Sequence, residues 1–274
     1  MFGSTSAAID FLPDESARAW VADRLTKVGS HLGTNLGPAA VTPRVITDTS
    51  IPKPRDLDDL FELICGVQSE VGQEDVELAL VEMDSKGPTV PKGFAPLGNP
   101  EGHLLHTFAR EDEYVVLVVP ALFRVPAIAL SSVARELGRM AIHIADRAAT
   151  AAGRGILRRG TPESAKEIAD READAELAAM TLGMGVWIAN GAYIYENACC
   201  GGGCGVDLRS IRAALSMPEA CFALAVDGQR KGLSRRVIGK HLDANQKAAL
   251  KRSWGYVKKQ PELAAAPTMA ALGA

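Results

Sequence analysis

Between Leu177 and Tyr195 the chain runs LAAMTLGMGVWIANGAYIY without one charged side chain. A segment of that length and polarity has two physical solutions: it crosses a bilayer, or it is the buried centre of a larger fold. Gly183, Gly185, Gly191, Thr181 and Asn190 interrupt it, and the acids Glu176 and Glu196 flank it. Those features favour a core helix. A helix that is apolar all round must be covered on every side, so the rest of the chain has to supply the cover.

There is enough chain to do so. With 274 residues, 47% hydrophobic and 23% charged, it can bury one large core or two small ones. A net charge of −3 points to no particular partner. The start, MFGSTSAAIDFLPDE, lacks the basic stretch and apolar run of a secretory signal. Five unevenly spaced cysteines suit reduced thiols better than a disulfide framework. A cytoplasmic protein with no membrane span is the expectation.

Periodicity places the elements. Residues 14–35 read as a helix, with Trp20, Leu25, Val28 and Leu32 apolar and Asp14, Glu15 or Ser16 as its cap. Asp56–Val67 reads as a short helix with Leu57, Leu60, Phe61, Ile64 and Cys65 inward. Val76–Glu82 alternates as a strand does. Asp84–Pro100 is rich in Gly and Pro and reads as an exposed loop. His103–Phe108 and Tyr114–Val119 read as strands joined by the charged turn 110–113, the second apolar enough to be central. Thr161-Pro162 is expected to open a long helix with Pro in its first turn. Short helices are expected at Val206–Leu215, Pro218–Arg230 and Ala244–Lys259, the last capped by Asp243. The chain from Pro261 is Ala-rich and expected to fray, 261–274 forming a disordered tail.

The chemistry concentrates on Ser131–Ile144, SSVARELGRMAIHI. On a helical wheel Val133, Leu137, Met140 and Ile144 share one face, and Ala134, Gly138, Ala141 and Ala145 form a small-residue stripe beside it. Arg135, Glu136, Arg139, His143 and Asp146 occupy the remaining arc. Zinc hydrolases carry His-Glu-x-x-His on such a helix, because histidines four apart can share one metal while the Glu polarises its water. Here the five residues are Arg135-Glu136-Leu137-Gly138-Arg139. A guanidinium has no lone pair to give and cannot ligate zinc. On the following helix Glu163, Glu167, Asp170 and Asp174 share a face read as solvated. Glu172 and Glu176 fall on the opposite, packing side, where a carboxylate needs a partner or neutralises.

With those residues in view, the chain resembles a family of uncharacterised bacterial zincin-like proteins, metallopeptidase-like in motif. The likeness runs through AVTPRVI and LDDLFELICGV, through LFRVPAIALSSVARELGRM and READAELAAMTLGMGVWIANGAY, and through the C-terminal segments RAALSMPEACFALAVDGQRKG and KHLDANQKAALKRSWGYVKK. The resemblance implies an α+β fold: a zincin-like small sheet packed on helices, followed by a helical C-terminal part. The implied organisation is an N-terminal helix and extended segment over 1–50, a zincin-like core over 51–197 and helices over 198–260. It places the former ligands at Arg135, Arg139 and Glu172, with Glu136 as the base were the site active. Two of the three ligand positions depart from the pattern.

The expected function is therefore a pseudoenzyme with a lost zinc site, holding no metal or cofactor, in a binding or regulatory role toward an unknown protein partner. One alternative is a metal-dependent hydrolase with a site rebuilt from Glu136, His143 and Glu172, supported by Glu176. The other is a nucleic-acid or acidic-partner binder. Arg230–Lys259 holds ten Lys or Arg against one acid, Asp243. That stretch is not expected to expose aromatics between its charges and carries no nucleic-acid motif, so Lys247, Lys251 and Lys258 read as a solvated face and nucleic acid is not the expected partner. Cys199, Cys200 and Cys204 lie in a glycine-rich run with no fourth ligand at a standard spacing.

Overall fold

The centre of the molecule is a pair of helices in contact along their small residues. They are α3, Pro126–Ala151, and α4, Ala165–Ala179. The computed structural model describes residues 11–47, 53–83, 90–99, 101–158, 160–162, 164–197 and 212–265. Where α3 and α4 meet, a Cβ on Gly138 would stand 2.2 Å from the Ala175 carbonyl oxygen and 2.7 Å from the Ala179 nitrogen. Only glycine admits that approach. Gly138→Ala should therefore lower stability by about 1–3 kcal/mol, although alanine is the better helix former. A urea midpoint unchanged by this substitution would mean that the two backbones are not held this close.

Around that pair the other elements close the core. Helix α1, Glu15–Leu36, starts at Asp14, which accepts a hydrogen bond from the Ala17 amide, and lays Val21, Leu25, Val28 and Leu32 inward. A 3₁₀ turn, Pro38–Val41, follows it. Helix α2, Leu57–Val71, is capped by Asp56 and ended by Gly72 in the left-handed region. Its buried line is Leu60, Leu63, Ile64, Val67 and Val71. Phe61 is 44% exposed and Cys65 is exposed, against the expectation that they point inward. They lie on the edge of an apolar stripe that the core does not need.

The sheet is small and mixed, so the architecture is α+β. Its strands are β1, Leu78–Glu82, β2, Ala95–Pro96, β3, Leu105–Arg110, and β4, Glu113–Val118, in the order β1-β4-β3-β2. β4 runs parallel to β1 and antiparallel to β3. It is the apolar central strand, buried from Tyr114 to Val118. On β3 burial alternates, so Leu105, Thr107 and Ala109 face inward. That register puts a threonine hydroxyl beneath α3.

The uncharged run becomes two helices and a distortion. A π-helical turn, Met180–Met184, links α4 to α5, Gly185–Asn197. Gly183 sits there at φ 101°, where a Cβ would meet Arg44 Cγ at 2.4 Å, and its carbonyl accepts from the Ile46 amide at 2.9 Å. The helical stretch Ala165–Ile194 is long and apolar enough to cross a membrane by length and composition. In this fold 83% of its most apolar window is buried within the molecule.

Helix α6, Met217–Arg230, packs on α1, α5 and α8, Ala244–Val257, within one continuous core. α7, Arg235–Gly239, and the single turn α9, Pro261–Ala264, complete the described chain. Four expectations are corrected. α4 starts at Ala165, because Ser164 and Glu167 form a reciprocal capping box that satisfies two amides, which Pro162 could not do. Arg212–Leu215 is not helical; the amides of Ala214 and Leu215 are used by Glu176. Asp243 stands at the N-cap of α8 but makes no side-chain cap bond. Pro261–Ala264 is helical, and the Leu263 carbonyl accepts from Arg230 Nε. Cys199, Cys200 and Cys204, and the tail from 266, lie outside the described residues.

Candidate functional site: a buried Arg–Glu network

Arg135, Glu136 and Arg139 occupy one turn of α3 and are 2%, 3% and 1% exposed. Long charged side chains are buried this deeply only when paired. Glu136 is the hub. One of its oxygens accepts from Arg135 Nε at 3.0 Å, and the other from Arg139 Nε at 3.0 Å and from the Thr107 hydroxyl at 2.8 Å. Burial opposes its ionisation, but Arg139 and Arg135 outweigh burial, and the carboxyl is held down at about 2.

Arg139 reaches on from the hub to α4. Its Nη1 donates to Glu172 Oε1 at 3.0 Å and its Nη2 to Oε2 at 2.5 Å, a two-pronged grip that suits a planar guanidinium. Glu172 also accepts from the Asn99 amide at 3.0 Å and lies 3.3 Å from His103 Nε2. Burial works against its charge too. The His103 hydrogen bond, Arg139 and Asn99 prevail, and its carboxyl lies well below the usual carboxylate range. The two flanking carboxylates, in turn, keep Arg139 protonated against its burial.

His103 closes a ring. Arg135 Nη1 lies 2.6 Å from His103 Nδ1, while His103 Nε2 faces Glu172. A neutral imidazole fits both contacts, accepting at Nδ1 and donating from Nε2. Burial and the Arg135 charge both lower the His103 pKa, in keeping with that form. The cluster therefore balances, with two guanidiniums, two carboxylates and a neutral ring.

Its roof is the segment after β2. A Cβ on Gly98 would stand 1.9 Å from Arg139 Nη1 and 2.8 Å from Glu172 Oε1, so the backbone here lies directly on the pair. The stretch read as an exposed loop thus has its last described residues, Leu97–Asn99, as a cover. The space left between this roof, Thr107, Glu136 and Arg139 is a cavity of about 10 Å³. That is room for about one water and not for a substrate.

The other expected residues fall elsewhere. Glu176 does not join the arginines. Its two oxygens accept from the Ala214 and Leu215 amides, each at 2.9 Å, and burial pushes its carboxyl up to about 7. His143 Nδ1 lies 2.9 Å from the Tyr114 hydroxyl, with the rings edge to face. Burial lowers the His143 pKa and pushes the Tyr114 hydroxyl up to about 12. Asp174, read as solvated, is 1% exposed and paired with Arg24 of α1 through Nε–Oδ1 at 2.9 Å and a second contact. Among the described residues no three His, Cys, Asp or Glu side chains come together as a metal-holding group.

Sequence reasoning brought together Arg139, Glu136 and Glu172 and missed His103, Thr107, Asn99 and Arg158. The first three are supplied by β3 and its approaches, about 19–27 residues before α3 begins, and no local spacing marks them. Arg158 donates to the Leu97 carbonyl at 3.2 Å beside the cluster, and burial, then Arg139, lowers its pKa to about 10. No protein-family model matches the chain, and no curated protein or solved structure is significantly similar to it.

Proposed function

We propose that this chain is a zincin-like scaffold in which an ion-pair network stands where a zinc centre would, and that it works by binding rather than by hydrolysis. The observation that carries the reading is Arg139. Its guanidinium sits between Glu136 and Glu172, the would-be base and the would-be third ligand, and hydrogen-bonds both. A dication placed there would meet a fixed positive charge and no imidazole from α3. The donor set present does not fit zinc: of the three ligand positions only Glu172 offers a lone pair, and Arg139 already occupies both its oxygens. A hydrolase rebuilt from Glu136, His143 and Glu172 gains no support, since His143 is turned to Tyr114.

Protein purified without chelator should carry no stoichiometric zinc by elemental analysis. About one zinc per chain, lost on Glu172→Ala, would overturn the reading. The basic C-terminal stretch splits in two. Lys247, Lys251 and Lys258 are exposed, while Arg230 and Lys231 are drawn in toward the core.

A further inference from the structure

A second site shares no lining residue with the Arg–Glu network. Between α1, the segment after the 3₁₀ turn, the π-turn and the end of α6 is a cavity of about 340 Å³. That is within the usual size of a small-molecule pocket. Its walls are mainly apolar. Leu25, Val41 and Pro43 line it. Thr26 and Thr181 line it as well, but their hydroxyls are turned back to their own helices, donating to the Ala22 and Leu177 carbonyls. Gly29 and Gly33 leave one side of it without side chains. A Cβ on Gly29 would find nothing nearer than 3.9 Å, and one on Gly33 only ordinary contacts at 3.5 Å.

One end of the cavity is charged. Asp227 and Lys231, one turn apart on and just beyond α6, pair at 2.9 Å and are about nine-tenths buried. Lys231 Nζ also donates to the Thr181 carbonyl inside the π-turn, at 2.5 Å. A π-turn is uncommon and often sits at a functional site. Asp227 gives its hydrogen-bonded contact to Lys231. That leaves Arg230, whose Nε donates to the Leu263 carbonyl at 2.9 Å and whose terminal nitrogens have no partner among the described residues. Asp227 also acts on Arg230 across this end, so with two cations and one carboxylate the pocket joins an apolar body to a head region of net single positive charge.

We propose that this cavity binds an apolar acyl chain of medium length through its carboxylate, the chain lying along Gly29 and Gly33 and the head group on Arg230. A guanidinium favours a carboxylate over a neutral head because it can donate two parallel hydrogen bonds. The proposal stands apart from the zinc question and survives whichever way that is decided.

The test titrates the full chain calorimetrically with decanoate and with decan-1-ol. Decanoate should bind saturably, one per chain, and decan-1-ol at least about tenfold more weakly. Arg230→Gln should bring decanoate down to the alcohol's affinity. Gly29→Leu should abolish binding of both without lowering the thermal midpoint, since it replaces a helical glycine and fills open space; Gly33→Leu serves if that variant folds poorly. The proposal fails if decanoate shows no saturable binding up to about 1 mM, which is a free energy too small for a built pocket. It fails equally if the alcohol binds as well as the acid, or if neither glycine variant reduces binding.

Discussion

Glu172→Ala should cost about 3–5 kcal/mol of folding free energy, the usual effect of removing one side of a buried ion pair. The cost arises less from the lost bond than from what remains. Arg139 is 1% exposed and donates four hydrogen bonds, two of them to Glu172. Without that carboxylate its outer nitrogens face a cavity of about 10 Å³ and the backbone of Gly98, with no room for a hydration shell. Glu172→Gln keeps an acceptor and should cost less. Replacing both partners, as in Arg139→Met with Glu172→Ala, should recover much of the loss, because an apolar pair leaves no charge stranded. Urea unfolding of the three variants decides it. A loss below about 1 kcal/mol for Glu172→Ala would place the pair among ordinary surface salt bridges. Acid adds a separate check. The Glu136 carboxyl is held at about 2 against an ordinary 4.5, so its contribution is complete above about 4.5 and fades as pH falls through 2.

Glu176→Gln should behave in the opposite sense. This carboxyl is 3% exposed and raised to about 7 from 4.5. Between those values the folded chain keeps a proton that the unfolded chain has released. Its stabilising contribution is thus fully present below about 4.5 and is lost as pH rises through 7. The whole difference is worth on the order of 3 kcal/mol. A glutamine cannot ionise, and its oxygen can still accept from an amide. The variant should therefore match or trail wild type at about pH 5 and gain on it by about pH 8. Denaturant midpoints of both proteins at the two pH values test this. A constant gap between them would mean that the Ala214 and Leu215 amides alone keep Glu176 ionised across the range.

The sequence carried more of the helices than of what they hold. Wheel geometry placed Glu136 and Arg139 one turn apart and Glu172 on the packing side of the next helix, and their meeting in space follows from those faces. The glycine and alanine stripe of α3 likewise foretold a close neighbour, which Gly138 provides. Two of the strands were legible from the alternation in β1 and the apolar run in β4. Contributions from distant chain were not legible. His103 looks like the first residue of a strand, and Thr107 like any strand threonine. Gly98 and Asn99 sit in a Gly/Pro-rich stretch whose composition says loop and nothing about what the loop covers. Asp174 misled for a related reason. Its wheel position is shared with other acids, but its partner Arg24 comes from α1, and a wheel cannot see a helix packed against that face. The role of Glu176 depended on a turn at Ala214 and Leu215 where helix had been expected.

The neutral balance of Arg135, Glu136, Arg139 and Glu172 also bears on how such a chain can change over time. Each of the four is at most 6% exposed, so altering any one alone leaves an odd charge in a dry interior. Steps that alter an arginine and a glutamate together avoid that state. Drift at these positions should therefore run in pairs, and the sequences of descendants should covary across α3 and α4 even where the residues themselves differ. Installing a metal-binding histidine would meet the same obstacle, since a neutral ring at Arg139 would leave two carboxylates, Glu136 and Glu172, with the single guanidinium of Arg135.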